Sequence, residues 1–372
     1  METQNTNTQR FNWLKKTISK IERFFVQFFW FRVLVTLVIA YVVIFLVKCI
    51  ENWATAQQIC LEGDTYFECI IRELLSIIAV ENIESFSILS AAILYILETK
   101  ERINQGIYEA WQVVDNTSAS GISTSPARFQ ALENLNSHGV SFEGLSLKQA
   151  NLKSINLQNA NLQDTNLSQA NFSNANLKEA NLTQANLEET NLNNANLSRA
   201  KLQEANLKNA NLQGVNLTKA DLTNANLQGA NLENVVFKDA ILTGTILDEA
   251  ILIGADLRCA KLKDVQMKKA NLENANLQKA NLENTDLRES NLKGANLKDT
   301  QIKQCLLSSA NLREADLTNA NLQNSSFIRA NFKDAILTRT NLDGADLRLA
   351  IKLDIDQLKS TLNYTNARHN NE

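Results

Sequence analysis

Histidine is nearly missing from this chain: His138 and His369 are the two examples in 372 residues. That scarcity removes most acid–base and metal chemistry, which draws first on imidazole. Cysteine is sparse as well. None of Cys49, Cys60, Cys69, Cys259 and Cys305 forms a C-x-x-C pair, so a zinc site is not indicated. Cys60 and Cys69 bracket an acidic loop; they could form a disulfide in an oxidising compartment, or remain free thiols near a membrane. Proline occurs once, at Pro126, and 11 glycines are few for a chain that turns often. Asparagine takes the corners instead. Charge of one sign is also lacking, since 37 basic and 40 acidic residues leave a net −3. No basic stripe with interleaved aromatics suggests nucleic acid. No group of residues has the spacing of a catalytic, cofactor or metal site, so no enzyme activity, cofactor or metal is expected.

What the chain does have is rhythm. From Phe142 to Leu347 every fifth residue is leucine or another apolar residue, without a slip of frame. Two positions before each stands a small residue, as at Ala150, Ala160 and Ala170, with Thr165, Val215 or Cys305 as occasional substitutes. Asparagine or aspartate lies between, as in Ala150-Asn151-Leu152 and Ala220-Asp221-Leu222. A fixed self-similar period means a solenoid. Five fits neither the helical period of 3.6 nor the strand period of 2. The chain must turn once per unit. The small residue and the leucine share the inner face of a short extended piece, and asparagine points out.

The second corner residue counts the corners in one coil. The column Asn174, Asn194, Gly214, Asn234, Gly254, Asn274, Gly294 repeats every 20 residues and holds only Asn and Gly, which tolerate positive φ. The column halfway round, with Asn224, Gly244 and Asn284, is partly similar. The columns between hold charges, such as Glu179, Arg199 and Lys219, or Glu249, Lys269 and Glu289. Opposite corners are thus expected to be type II turns and the others a different turn. Four pentapeptides make a coil, and about ten coils at ~4.8 Å give a rod roughly 50 Å long.

This A(N/D)LXX pattern resembles the pentapeptide-repeat family. The resemblance implies an all-β solenoid, a right-handed quadrilateral β-helix. It speaks to fold more than function, because the motif residues build wall and core.

The rest of the chain reads as attachments to that rod. Residues 1–23 form a polar, basic tail, and 24–114 a helical membrane-anchor region. Within it the apolar run Phe24 to Val47 is long enough to span a bilayer. A second crossing over about 77–97 is weighed against a surface helix, because it includes Glu81 and Glu84. Basic residues flank both runs on their outer ends, which fits a hairpin with both ends in the cytoplasm. Over 98–114, Ile103, Ile107, Ala110, Trp111 and Val114 make a helical stripe, suited to packing on the membrane or the solenoid, or to self-association. The segment around Tyr108 to Gln112 resembles one found upstream of the repeats in membrane-anchored cyanobacterial members. Residues 115–125 read as a linker. Ser125-Pro126 starts a capping helix, assigned to 126–139 and presenting Phe129, Leu132 and Leu135. The β-helix is assigned to 140–351, and 352–372 to a C-terminal capping helix and tail. There Asp354 and Gln357 have capping-box spacing, and Ile355, Leu358 and Leu362 line one face.

Candidate interaction residues come from departures in the outward asparagine slot. Val236, Ile241, Ile246 and Ile251 occupy it in consecutive units, one per side, and Leu306 and Ile336 add two more. Exposed apolar groups can mark a protein-binding surface. Equally, β-branched residues simply suit a strand-like position. Sequons such as Asn171-Phe172-Ser173 follow from the repeat and carry no separate meaning. The expectation is a non-enzymatic scaffold in a bacterial inner membrane or thylakoid, with a cytoplasmic rod that binds proteins and no nucleic acid. Homo-oligomers are compatible with it. A component or regulator of membrane transport is the alternative. The family resemblance adds a third reading, a DNA mimic that binds gyrase. It needs about one negative charge per 1.7 Å of rod, which the balanced composition does not provide.

Overall fold

The computed structural model describes residues 29–54, 80–119 and 124–368. The N-terminal tail, the start of the first apolar run, the loop holding Cys60 and Cys69, residues 120–123 and the last four residues lie outside the described residues. The chain divides into two compact units, Met1–Glu109 and Ala110–Glu372.

In the first unit, α1 spans Phe29–Ala54, and α2, Val80–Ala119, begins there and runs into the second. Over the described residues no helix is long and apolar enough to cross a membrane. The expected crossings at 24–47 and 77–97 are therefore not supported as drawn. In α1 the side chains are described from Val33 to Val47, with Phe45 excepted. In α2 the apolar stretch is confined between Glu84 and Glu98. The expected break at residue 97 is absent, and α2 continues through Asp115–Ala119 of the expected linker. Asn, Thr and Ser disfavour a helix by only tenths of a kcal/mol each, and the buried Val114 anchors the turn that leads into them.

The second unit is the solenoid. Its ladder consists of parallel bridges between residues 20 apart, from Ser146↔Asn166 to Asn331↔Ile351, so each coil has four sides. The unit Asn171–Ala175 shows why five residues suffice. Asn171 N donates to Ala150 O of the coil below (2.9 Å) and Phe172 N to Asn191 O of the coil above (2.7 Å). Ser173 N donates to the Asn171 side chain, Oδ1, at 3.0 Å. Asn174 N donates upward to Asn193 O (2.8 Å), and Ala175 N closes the corner on Phe172 O (3.0 Å). All five N–H groups are satisfied, which a wall one residue thick requires. Asparagine recurs because Asn and Asp best place an acceptor over the N–H two residues on, a bond serine makes more weakly.

The corners correct one expectation. Every second corner residue, charged or not, has positive φ, including Glu179 (61°), Arg199 (59°), Lys219 (59°) and Lys269 (58°). All four columns share one turn geometry. The left-handed conformation costs about 1 kcal/mol for a residue with Cβ. Its N–H, however, donates to the coil above at every such corner from Gln149 to Arg329, as Glu179 N does to Ser198 O (3.0 Å). Glycine enters for a different reason. At Gly229 an added Cβ would lie 2.6 Å from Oδ1 of Asn209, whose side chain leans over it from the coil below. The same Asn-below-Gly pairing recurs at Gly214, Gly244, Gly254, Gly294 and Gly344.

Leucine and alanine fill the bore, from Leu147 to Leu347, and are buried. Polar residues in the small inward slot bond to main-chain carbonyls. Thr190 Oγ1 donates to Leu167 O (3.0 Å), Ser325 Oγ to Ile302 O (2.6 Å) and Cys305 Sγ to Leu282 O (2.7 Å).

Both ends of the rod are closed. At the N-terminal end α3, Pro126–Ser137, is capped by Ser125 and buries Ala131, Leu132 and Leu135. Glu133 Oε1 accepts from Asn156 N (2.9 Å), and Asn136 Nδ2 donates to Gln158 O (3.1 Å). The helix thus supplies side-chain bonds where a lower coil is missing. Ala110 and Val114 of α2 are buried here too, and Trp111 meets Phe142 edge-on at 6.2 Å. At the C-terminal end α4, Ile355–Lys359, has the Asp354–Gln357 capping box but buries none of its residues. Ile355 and Leu362 do not form the expected inward face; they are 56% and 60% exposed. Closure comes from the backbone instead. Leu362 N donates to Thr340 O (2.9 Å) and Arg368 N to Ala345 O (2.9 Å), so the tail lays an irregular further coil over the last regular one.

Candidate functional site

The faces of the rod are what this fold offers. The four sides are numbered by their first outward slots: Ser146, Asn151, Asn156 and Asn161. Asparagines on successive coils bond to one another as well as to their own corners. Asn176 Nδ2 donates to Asn156 Oδ1 (2.9 Å) and Asn311 Nδ2 to Asn291 Oδ1 (2.9 Å). These amides are occupied within the wall rather than poised for a ligand.

Aspartate in the slot keeps the corner bond and adds a charge. Asp256 accepts from Arg258 Nε and Nη2 at 2.8 and 2.6 Å, and Asp286–Arg288 and Asp346–Arg348 repeat the pair. In each, the bonded guanidinium holds the carboxyl below its usual range. At Asp316 burial pushes the other way, but bonds from Thr318 and Lys298 outweigh it and lower the pKa. A depressed carboxyl contributes stability above its unfolded pKa of about 3.9 and loses it as pH falls through the folded value. Asp286→Asn keeps the corner acceptor and removes the charge. At neutral pH it should change stability by less than about 1 kcal/mol, since the pair is exposed. Urea denaturation from pH 7 to pH 2 should show a shallower acid loss in the variant. Parallel acid profiles would refute the assignment.

The six apolar slot residues are not brought together. Val236, Ile241, Ile246 and Ile251 lie on the third, fourth, first and second sides in turn, as their bridges to Asp256, Lys261, Gln266 and Asn271 show. Val236, Ile241 and Ile246 are half-buried. Ile251, Leu306 and Ile336 are exposed at 40%, 43% and 47%. Leu306 shares the first side with Ile246, and Ile336 the third with Val236, both several coils away. Each forfeits the corner bond that asparagine makes, a loss of about 1 kcal/mol. Ile246→Asn should therefore stabilise the rod by about that amount in chemical denaturation. A lower midpoint would mean that packing of the isoleucine outweighs the bond.

Sequence reasoning missed Ile253. It is an apolar residue in the first corner position, where only Ile328 matches it among 41 units from Lys148 to Arg348. Among the six candidate slot residues, Ile251 alone is followed by a second apolar residue at the first corner position. Also missed were Leu349 and Ile351 at the C-terminal end, which with Ile355 and Leu362 are each about half exposed. Among the described residues no group of His, Cys, Asp and Glu could hold a metal ion.

A four-sided parallel β-solenoid with a five-residue wall unit defines a structural class, and the comparisons place the chain within it. The pattern described as a pentapeptide repeat region matches residues 135–212. The one described as pentapeptide repeats (8 copies) matches 200–239, 237–274, 270–308 and 310–348. The chain belongs to the pentapeptide-repeat family, whose proteins are generally non-enzymatic. No curated protein matches it. Among solved structures it is similar to HetL, involved in heterocyst differentiation regulation in the cyanobacterium Nostoc sp. strain PCC 7120. Identity there is 30%, coverage 64% of this chain and 95% of that one, and TM-score 0.26. A pentapeptide repeat protein from the Arabidopsis thaliana thylakoid lumen has 25% identity, coverage of 35% and 72%, and TM-score 0.15. QnrB1, a plasmid-mediated fluoroquinolone resistance protein, has 16% identity, coverage of 51% and 92%, and TM-score 0.30.

Proposed function

We propose that the chain is a membrane-anchored scaffold whose rod presents flat faces to protein partners. The observation that carries the scaffold reading is the occupancy of the wall. Backbone N–H groups and slot amides bond within the solenoid, so the faces offer shape and charge pattern rather than reactive groups. Such faces suit docking of folded proteins.

The anchor is supported by an inverted burial pattern in the first unit. Thr36 and Ala40 of α1 are fully buried and Ser90 of α2 is 7% exposed, whereas Leu34, Val38 and Ile88 are more than half exposed. A water-soluble helix pair buries its large apolar residues. Small and hydroxyl residues inside with aliphatics outside match helices packed in lipid. Carbonate extraction of membranes tests the anchor: the chain should stay in the pellet. Release into the supernatant would overturn it. Crosslinking of the full chain in membranes, read by mass spectrometry, tests the scaffold. Partner crosslinks should map to residues of the rod faces, and crosslinks confined to residues 24–114 would overturn that role.

A further inference from the structure

The four sides of the rod are not equivalent in charge. The first side carries like-charged doublets, Glu188-Glu189, Asp248-Glu249 and Lys268-Lys269. The second side differs. Between Asn171 and Gly254 its outward slots and following corners contain one charged residue, Glu233, which accepts from Gln213 Nε2 at 3.1 Å. Further along, its charges fall into pairs on the same side: Lys293–Glu273 at 3.3 Å, Arg313–Glu314 at 3.8 Å and Lys333–Asp334 at 4.0 Å. The side is long, flat and electrically self-cancelling.

Two of its slots are apolar, Ile251 at the middle and Ile351 at the C-terminal end. The slot ladder of the second side runs from Asn151 to Ile351 through 11 positions, and Ile251 is the sixth. Ile253 is its outward neighbour. An apolar centre with a polar, charge-poor surround is the composition of a protein interface.

From this geometry we propose that the second side is a self-association surface, on which a second copy of the chain packs antiparallel about a two-fold axis at Ile251. In an isologous contact the residue on the axis meets its own copy, and those on either side exchange partners. With the axis at the sixth of 11 positions, the two rods overlap along their whole length. Ile251 and Ile253 of each copy close on one another, and Asn171 faces Asn331. A side whose charges balance tolerates its own copy, where the doublets of the first side would not. The area is adequate: roughly 50 Å by ~12 Å gives about 600 Å² per partner, or ~1,200 Å² in all, the lower bound for a specific interface. The inference does not depend on where the chain resides or on what else it binds.

Cysteine crosslinking of the full chain tests it, in a Cys259→Ser background that removes the exposed thiol of the rod. Mild copper-catalysed oxidation is followed by mass spectrometry of the crosslinked peptides. Ile251→Cys should link to its own copy at least tenfold more than Ile246→Cys. Mixed Asn171→Cys and Asn331→Cys chains should link to each other. The pairing overturns if Ile246→Cys links as readily, if Asn171→Cys links to itself, or if none links. Ile251→Lys combined with Ile253→Lys brings like charges to the axis and should raise the dissociation constant at least tenfold by light scattering. The slot tolerates lysine, since Lys201 and Lys261 hold the equivalent place on the fourth side. Unchanged association in the double variant would also reject the surface.

Discussion

Phe237→Ala should open the middle of the solenoid while leaving its ends closed. Phe237 is fully buried, and its N–H donates to Asp256 O of the coil above at 2.7 Å. Removing a buried phenyl ring typically costs 3–5 kcal/mol, lost transfer energy plus the cavity left behind. The wall cannot collapse to fill that cavity, because each coil is held at fixed spacing by the ladders on all four sides. In a solenoid each coil touches only its neighbours, so the damage should remain local. Amide exchange should speed up by roughly a hundred- to a few-thousand-fold around Leu217 and Leu257, at about 1.4 kcal/mol per factor of ten. It should change little near Phe172 or Phe332. Uniform acceleration from end to end would mean that the rod unfolds as one unit, and would refute nearest-neighbour stability.

The solenoid was legible in the sequence because its constraint is periodic and strict. Every leucine must point inward, and a slip of one residue would expose it. The asparagine could also be read as outward. Its second task, accepting the corner N–H, could not be read from spacing alone, since a solvated amide would follow the same pattern. The corner geometry was misjudged for a related reason. Charged residues at Arg199 and Lys219 suggested a different turn, yet the bond to the coil above holds them at a φ of 59°, like the Asn corners. That bond lies 19 residues away in sequence and leaves no local trace. The C-terminal stripe of Ile355 and Leu362 had helical spacing, but main-chain pairing of the tail with Thr340 and Ala345 won the available edge and left those side chains outside. The candidate surface was legible only in part. Ile251 stood out as a departure from asparagine, whereas its place at the centre of a charge-poor side emerged once the four ladders were sorted. Ile253 broke a column of polar residues, a signal that was present but weaker.

Cys305 should behave as a reporter of opening rather than as a reactive thiol. It occupies the small inward slot, buried to 1% exposure, and Sγ donates to Leu282 O at 2.7 Å. Burial pushes its pKa up to about 12. At pH 8 the thiolate fraction is then about 10⁻⁴, and only the thiolate attacks alkylating reagents. Cys259 lies exposed at a corner and should be alkylated in the folded rod, while Cys305 waits for its coil to open. The raised pKa also sets the sign of a pH effect. Below the ordinary thiol value of about 8.5 both states hold the proton, and stability is unaffected. Between there and about 12 the unfolded chain releases it and the folded chain does not, so stability falls as pH rises. At pH 10 the loss should approach about 2 kcal/mol relative to pH 8. Cys305→Ser removes this contribution and should keep the fold, since Ser325 makes the same bond to the coil below from the same slot. Comparing the two proteins isolates the thiol from the lysines and tyrosines that titrate in the same range. Alkylation of Cys305 as fast as that of Cys259, or equal alkaline slopes for the two proteins, would show that the thiol is not held inside the wall.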